Sequence, residues 1–294
     1  MFSIQRLSLL DELDRRGTLA AVAEAKAFAP SSVSEQLAQL EREAGVQLLE
    51  RVGRGVRLTT EAQLLLRHAR VAMASLEEAE SELAAAQSLV VGVLRVAVFQ
   101  TIALSVLPAL LTDLAARHPD LTIEVAQREE QAALSGVHTG DFDVVVGEEY
   151  PGRPVPPSDR LQRIDLREDR LRLAVPLSGR WSDGGALADY AEAAWALDPV
   201  GTAPGDWSRA LCRAAGFEPR VRFDGVDLIS HAHLVRTGHA VAVLPDLLGQ
   251  ENTAGIRLVD LPLHPARALF TLARTTRADH PTVRAFRESL ARST

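Results

Sequence analysis

Apolar positions along the chain fall into three successive patterns. In the first, Ile4, Leu7, Leu10 and Leu13 recur at helical spacing and predict a helix ending at Gly17. Leu19, Val22 and Ala23 make the inner face of a second, short helix that Thr18 can cap. A third helix starts at Pro30, which fits a first helical turn because the N–H it lacks would be unpaired there. Val33, Leu37 and Leu40 stand at i, i+4 and i+7 and form its buried side. A basic, Gly-punctuated stretch with Arg51, Arg54 and Arg57 follows as a hairpin.

In the second pattern neither Pro nor Gly interrupts the chain from Thr60 to about residue 88, so one long helix is expected. Thr60 with Gln63 three residues on reads as a capping box. Leu58, Ala62, Leu65, Ala69, Ala72, Leu76, Ala79, Leu83 and Ala86 alternate spacings of four and three, an a/d seam whose alanines allow close approach of a second helix. The same period also fits a helix packed on its own domain.

The third pattern begins after Gly92 and alternates β-rich runs with helical periods. Strands are expected at 93–98, 121–125, 142–146, 170–176, 194–197, 221–223, 240–244 and 269–273. Helices are expected at 103–118, 131–139, 207–215, 228–237 and 281–291, and a Pro-rich loop at 150–159. This alternation argues for an α/β domain with a mainly parallel sheet. Two similar lobes with a crossing between them suggest a periplasmic-binding-protein-like clamp.

Composition adds limits. A chain of 294 residues implies two or more domains, and 47% hydrophobic with 24% charged residues is ordinary for a soluble protein. The N-terminus mixes charge into its apolar residues, so no signal peptide is expected, and no apolar stretch is long enough to span a bilayer. The only cysteine, Cys212, excludes an intrachain disulfide and reads as a buried core thiol. A cytoplasmic protein is the simplest expectation. The net charge of −7 argues against a general nucleic-acid coat but not against a local basic face.

The three short helices and the basic hairpin have the layout of a winged helix-turn-helix, which reads double-stranded DNA. Ser31, Ser32, Ser34, Glu35 and Gln39 are left on the outer side of the third helix. Hydroxyls allow close approach to the groove floor, Gln can bond adenine and Glu can accept from cytosine. Arg51, Arg54 and Arg57 can reach phosphates or the minor groove. Thr18 and Pro30 complete the expected DNA-binding set. No CxxC, HExxH, P-loop or GxSxG motif occurs, His231, His233 and His239 are poorly spaced for joint ligation, and no carboxylate pair demands acid–base work. Neither enzymatic activity nor a metal or cofactor is therefore expected.

The segments SSVSEQLAQLE (31–41), GVQLLER (45–51) and GRGVRLT (53–59) resemble the LysR-type transcriptional regulators, and the likeness extends in outline over nearly the whole chain. Three positions depart from that pattern: Glu35 stands where an Arg is frequent, Ala29 where a Ser is usual, and Lys26 where an apolar residue is common. The resemblance implies a DNA-binding domain at 1–59, a linker helix at 60–88 that dimerises the chain, and an effector-binding domain at 92–294. Its first lobe takes about 92–163 and 267–294, its second about 168–260, with crossings near 163–168 and 260–266. Leu65, Ala69, Ala72, Leu76, Ala79 and Leu83 are the expected dimer contacts.

Ligands of open α/β sheets bind beyond the carboxyl ends of strands, where helix N-termini favour anions. Gln100, Thr101 and the adjoining Ile102 lie at one such place, and Pro199 and Thr202 at another. Glu148 and Asp227 can border the cleft between them. The expected partners are promoter DNA, a small and by this argument anionic effector, a second copy or a tetramer of the chain, and, as an open further partner, RNA polymerase. No membrane partner is expected. The rival reading is a clamp-fold solute-binding protein or enzyme whose N-terminal helices only mediate assembly.

Overall fold

A computed structural model describes residues 1–53, 55–87 and 89–293. It divides into two compact units, 1–88 and 89–294. The first opens with α1 (Ile4–Arg16), α2 (Leu19–Ala25) and α3 (Pro30–Ala44). Gly17 ends α1 at φ 76°, a left-handed conformation that costs glycine little, and its N–H donates to the Leu13 carbonyl at 2.9 Å. Strands β1 (Leu49–Val52) and β2 (Gly55–Leu58) form the antiparallel hairpin, and α4 (Thr60–Gln87) is the long helix. Leu10, Leu13, Val22, Val33, Leu37, Leu40 and Leu48 bury together as one core.

Three features of this unit differ from the sequence reading. The cap of α4 is Thr59 rather than Thr60: its hydroxyl accepts from the Ala62 N–H at 3.2 Å. Gln63 turns away from the cap and donates to Asp14 at 2.9 Å. Ala69, expected on the dimer seam, is buried in the core with Ala62 and Leu66, and Leu65 packs partly against it. The tight packing of α4 on α1 claims that first stretch of the seam, and Ala72, Leu76, Ala79 and Leu83 beyond it are exposed. Finally, Asp11 and Glu12 are buried on α1. Arg70 of α4 bonds both Asp11 and Asp14 at 2.6 Å. Glu12 pairs with Arg16 at 2.6 Å and with Lys26 at 2.9 Å. Lys26, polar where the family pattern is apolar, thus neutralises a buried carboxylate.

The second unit runs β3 (Gly92–Val98), α5 (Gln100–Ser105), α6 (Leu107–Arg117), β4 (Leu121–Gln127), α7 (Glu130–Thr139), β5 (Val144–Glu149) and β6 (Leu161–Pro176). It continues with β7 (Ala194–Leu197), α8 (Ala203–Ala214), β8 (Arg220–Asp224), α9 (Leu228–Arg236), β9 (Val241–Pro245), α10 (Gly249–Thr253), β10 (Ile256–Asp260), β11 (Ala266–Arg274) and α11 (Pro281–Ser293). The helix expected at 103–118 is two helices, because Pro108 at the start of α6 cannot donate back into a preceding turn. The stretch near 163–168, where the chain was expected to cross between lobes, is itself part of β6, and β10 is a strand that the apolar pattern does not announce.

Nine described strands make one sheet in the order β4-β3-β5-β11-β6-β9-β7-β8, with β10 paired to β6. Pairs β3–β4, β3–β5, β7–β8 and β7–β9 are parallel; β6 and β11 pair antiparallel with each other and with their neighbours. Each lobe is therefore a parallel βαβ sheet, and β6 and β11 run side by side between them. Leu94, Val96, Val98, Ile102 and Phe286 centre one core of the first lobe. Trp195, Tyr190 and Leu173 centre one of the second. Among the described residues no helix is long and apolar enough to cross a membrane.

Candidate functional site

On α3 the apolar stripe points inward, and Ser31, Ser34 and Glu35 are exposed, with Pro30 exposed at the helix start and Ser32 half-buried. Thr18 is exposed and its hydroxyl accepts from the Ala21 N–H at 3.2 Å, which caps α2. Gln39 is engaged within its own helix: its carbonyl oxygen accepts from the Arg42 guanidinium at 2.6 and 3.0 Å. On the hairpin Arg51 is exposed, and Arg57 faces Glu50 across the strands at 2.6 Å. Such an exposed pair is weak, so a phosphate can displace it. Arg54 lies outside the described residues. Glu41 fixes the hairpin to α3 by accepting from the N–H groups of Leu48 and Leu49 at 2.8 and 2.9 Å.

The second unit holds a cavity of about 640 Å³ beyond the carboxyl ends of its strands, with both lobes contributing to its walls. Gln100, Thr101, Glu148 and Thr202 line it. Ile102 does not: it points into the first-lobe core. Pro199 is also off the wall, its carbonyl accepting from the Thr202 hydroxyl at 2.7 Å. Asp227 stands at the rim, where it accepts from Gln100 at 2.6 Å, while Gln100 in turn accepts from the Leu228 N–H at 2.9 Å. Two residues expected to contact a ligand thus hold each other across the lobes. Asp227 also caps α9 through the Ile229 and Ser230 N–H groups. The Ser230 hydroxyl first, and Gln100 after it, hold its carboxyl below the usual range.

Arg267 of β11 is the centre that sequence reasoning missed. Only 1% exposed, it bonds Asp169 at 2.7 Å, Thr101 at 3.1 Å and Glu148, and its guanidinium lies 5.1 Å from the centre of the Phe99 ring. Burial opposes its charge, but Glu148, Tyr150 and Asp169 outweigh that and raise its pKa. Burial raises the Glu148 carboxyl despite Arg267. Asp198, directly after β7, is pushed up to about 7 by burial, then by Glu148 and Glu129. A charged residue inside the apolar strand run of 266–273, and a carboxylate at a strand end, were the available signals for Arg267 and Asp198. Cys212 is buried, and burial pushes its thiol up to about 12, so it stays protonated and inert.

Two family profiles match. One described as "Bacterial regulatory helix-turn-helix protein, lysR family" covers residues 4–63, and one described as "LysR substrate binding domain" covers 87–294. The regulator GbpR of Azospirillum brasilense is 27% identical over 89% of this chain and 77% of its own. ShiR of Corynebacterium glutamicum is 30% identical over 76% of this chain and 77% of its own. Among solved structures, a variant of full-length OxyR from Pseudomonas aeruginosa superposes with TM-score 0.70 at 20% identity, covering 100% of this chain and 94% of that one. Full-length CbnR complexed with its target DNA gives TM-score 0.55 at 24% identity, covering 100% of both chains.

Proposed function

The chain belongs to the LysR family of DNA-binding transcriptional regulators with an effector-binding domain, and on that premise we propose that two copies read a two-fold DNA site through α3 while a small molecule in the 640 Å³ cavity biases the complex. The outward set Ser31, Ser34 and Glu35, opposite the buried Val33, Leu37 and Leu40, carries the DNA half of this reading. In that role Ser34 and Glu35 meet base edges, and Ser31, Ser32, Thr18 and the hairpin arginines Arg51 and Arg57 meet phosphates. The half-site of one short helix is small, so pairing through the exposed part of α4 doubles what is read. An effector acts only by its difference in affinity for two arrangements of the assembly. The protein has no catalytic role in this reading and works in the cytoplasm.

Footprinting of the full-length protein on its own upstream region, over a salt series, tests it. Ser34→Ala and Glu35→Ala are expected to change sequence preference. Arg57→Ala should weaken all sites alike and lower the salt slope by about 1. A uniform loss from all three variants would remove the assignment of base readers.

A further inference from the structure

Of the two helix starts expected to draw an anion into the cavity, the one at α8 is filled by the chain's own groups, while the six-residue α5 carries no side-chain cap. At the start of α8, Thr202 accepts from the Gly205 N–H at 3.2 Å, and Asp206 accepts from the Gly201 N–H at 2.9 Å while pairing with Arg153. Asp227 fills the start of α9. Glu129 and Glu130 stand at the start of α7 and line the cavity. The cavity's cations are largely spent. Arg267 is held by Glu148 and Asp169 and Arg153 by Asp206, while Arg128, bonded to the Gln127 carbonyl with the Phe142 ring at 5.9 Å, has no carboxylate partner among the described residues.

Asp198 is different. No ion pair or side-chain hydrogen bond engages its carboxylate among the described residues; Arg209 donates to its backbone carbonyl instead, at 2.6 Å. Much of the remaining wall is apolar, with Phe99, Leu134, Val226 and Phe270. The cavity is the site assigned above to an effector, and the following rests on that reading. We propose that it selects an organic cation, an amine, amidine or guanidine on an apolar body, with the charged end seated at Asp198.

Charge balance decides against the anion. A carboxylate entering here would meet Glu129, Glu130, Glu148 and Asp198 with no free guanidinium except Arg128. A cation would compensate the Asp198 carboxylate, which is otherwise eased only by its own backbone N–H and by Arg209. The groups that act on Asp198 are Glu148 from β5, Glu129 before α7, its own backbone N–H and Arg209 from α8; Glu130, Arg153 and Arg267 line the same cavity. Near neutral pH the empty site is about half protonated, because Asp198 titrates at about 7. A cation binds the ionised form and expels that proton. Its apparent affinity should therefore rise about tenfold between pH 6 and pH 8, following the ionised fraction. No histidine is among the described lining residues to produce the same effect.

Isothermal titration of the full-length protein with 2-phenylethylamine, benzamidine, 3-phenylpropanoate and 2-phenylethanol reads this directly. We expect the two cations to bind more tightly than the carboxylate and the alcohol, with the tenfold pH dependence. Asp198→Asn should remove that dependence and reduce cation affinity at pH 8 about tenfold. Preference for the carboxylate, absence of binding by both cations at millimolar concentration, or cation binding unchanged in Asp198→Asn would each overturn the proposal. Footprinting with the same probes separates the two readings. A cation that binds yet leaves the DNA complex unaltered counts against the effector role while the charge selectivity stands. A carboxylate that binds and alters the complex does the reverse.

Discussion

Asp198 has a cost in the absence of a ligand. Its folded-state pKa of about 7 lies above the ordinary value of 3.8, so the folded chain holds a proton that the unfolded chain has lost between those limits. Stability therefore falls as pH rises from about 4 to about 7 and stays lowered above that. Asn cannot ionise, so Asp198→Asn should stabilise the protein at pH 8 by on the order of 2 kcal/mol, after allowance for solvent screening, and by nothing measurable near pH 4. Urea melts of the two proteins at both values check this; an equal gain at both would point to packing rather than charge. Other single residues show how far the sequence could be read. Lys26 was visible as a departure but not as a partner, because Glu12 lies 14 positions back and its burial depends on how α1 and α2 cross. Arg267 lies outside the strand expected at 269–273, and the groups that hold it come from β5, β6 and the start of α5, far off in sequence.

Elements were more legible than contacts, for a physical reason. Helical and strand periods are written locally, so α1, β7 and α9 begin and end within two residues of their sequence reading, and α2 and α3 begin where it puts them. Reading failed where pairing, not local pattern, makes the element. The outer half of β6 carries charges that hide its strand character, and its ladder with β11 supplies the structure. The hairpin is a similar case. Its two strands of four residues are too short to hold themselves, and the Glu41 carboxylate satisfies two of its approach N–H groups. Glu41→Ala should leave those groups without their partner and destabilise the first unit by about 2 kcal/mol. It should also lower DNA affinity by loosening the hairpin while leaving ligand binding in the second unit intact. Glu41→Gln, which keeps one acceptor, should recover part of both losses. Thermal melts followed at the two units, with gel-shift titrations, distinguish this from a direct DNA contact, which would not alter the melt.

At the scale of the molecule, α4 has two different surroundings along its length. From Thr60 to Ala69 it completes the helix-turn-helix core, with Ala62, Leu66 and Ala69 buried. Farther on, Val71, Leu76 and Leu83 are 68%, 49% and 65% exposed, apolar side chains on a helix otherwise rich in glutamate. The heptad spacing that suggested a seam cannot tell these two lengths apart, because both obey the same period; only the position of α1 separates them. A dimer interface placed on the distal part should then be removable without damage to the core. The double substitution Leu76→Glu and Leu83→Glu puts two carboxylates on such a seam, where a facing copy would bury them unpaired. Sedimentation should show the variant as a single chain where the parent associates, with unchanged thermal unfolding of the helix-turn-helix. Its affinity for a two-fold DNA site should fall about a hundredfold or more, since each half-site is then bound alone, while affinity for an isolated half-site stays the same. Ala69→Glu should behave oppositely and unfold the first unit, since that position is interior. If the distal pair left association and DNA affinity untouched, the two-fold reading through α4 would have to be given up.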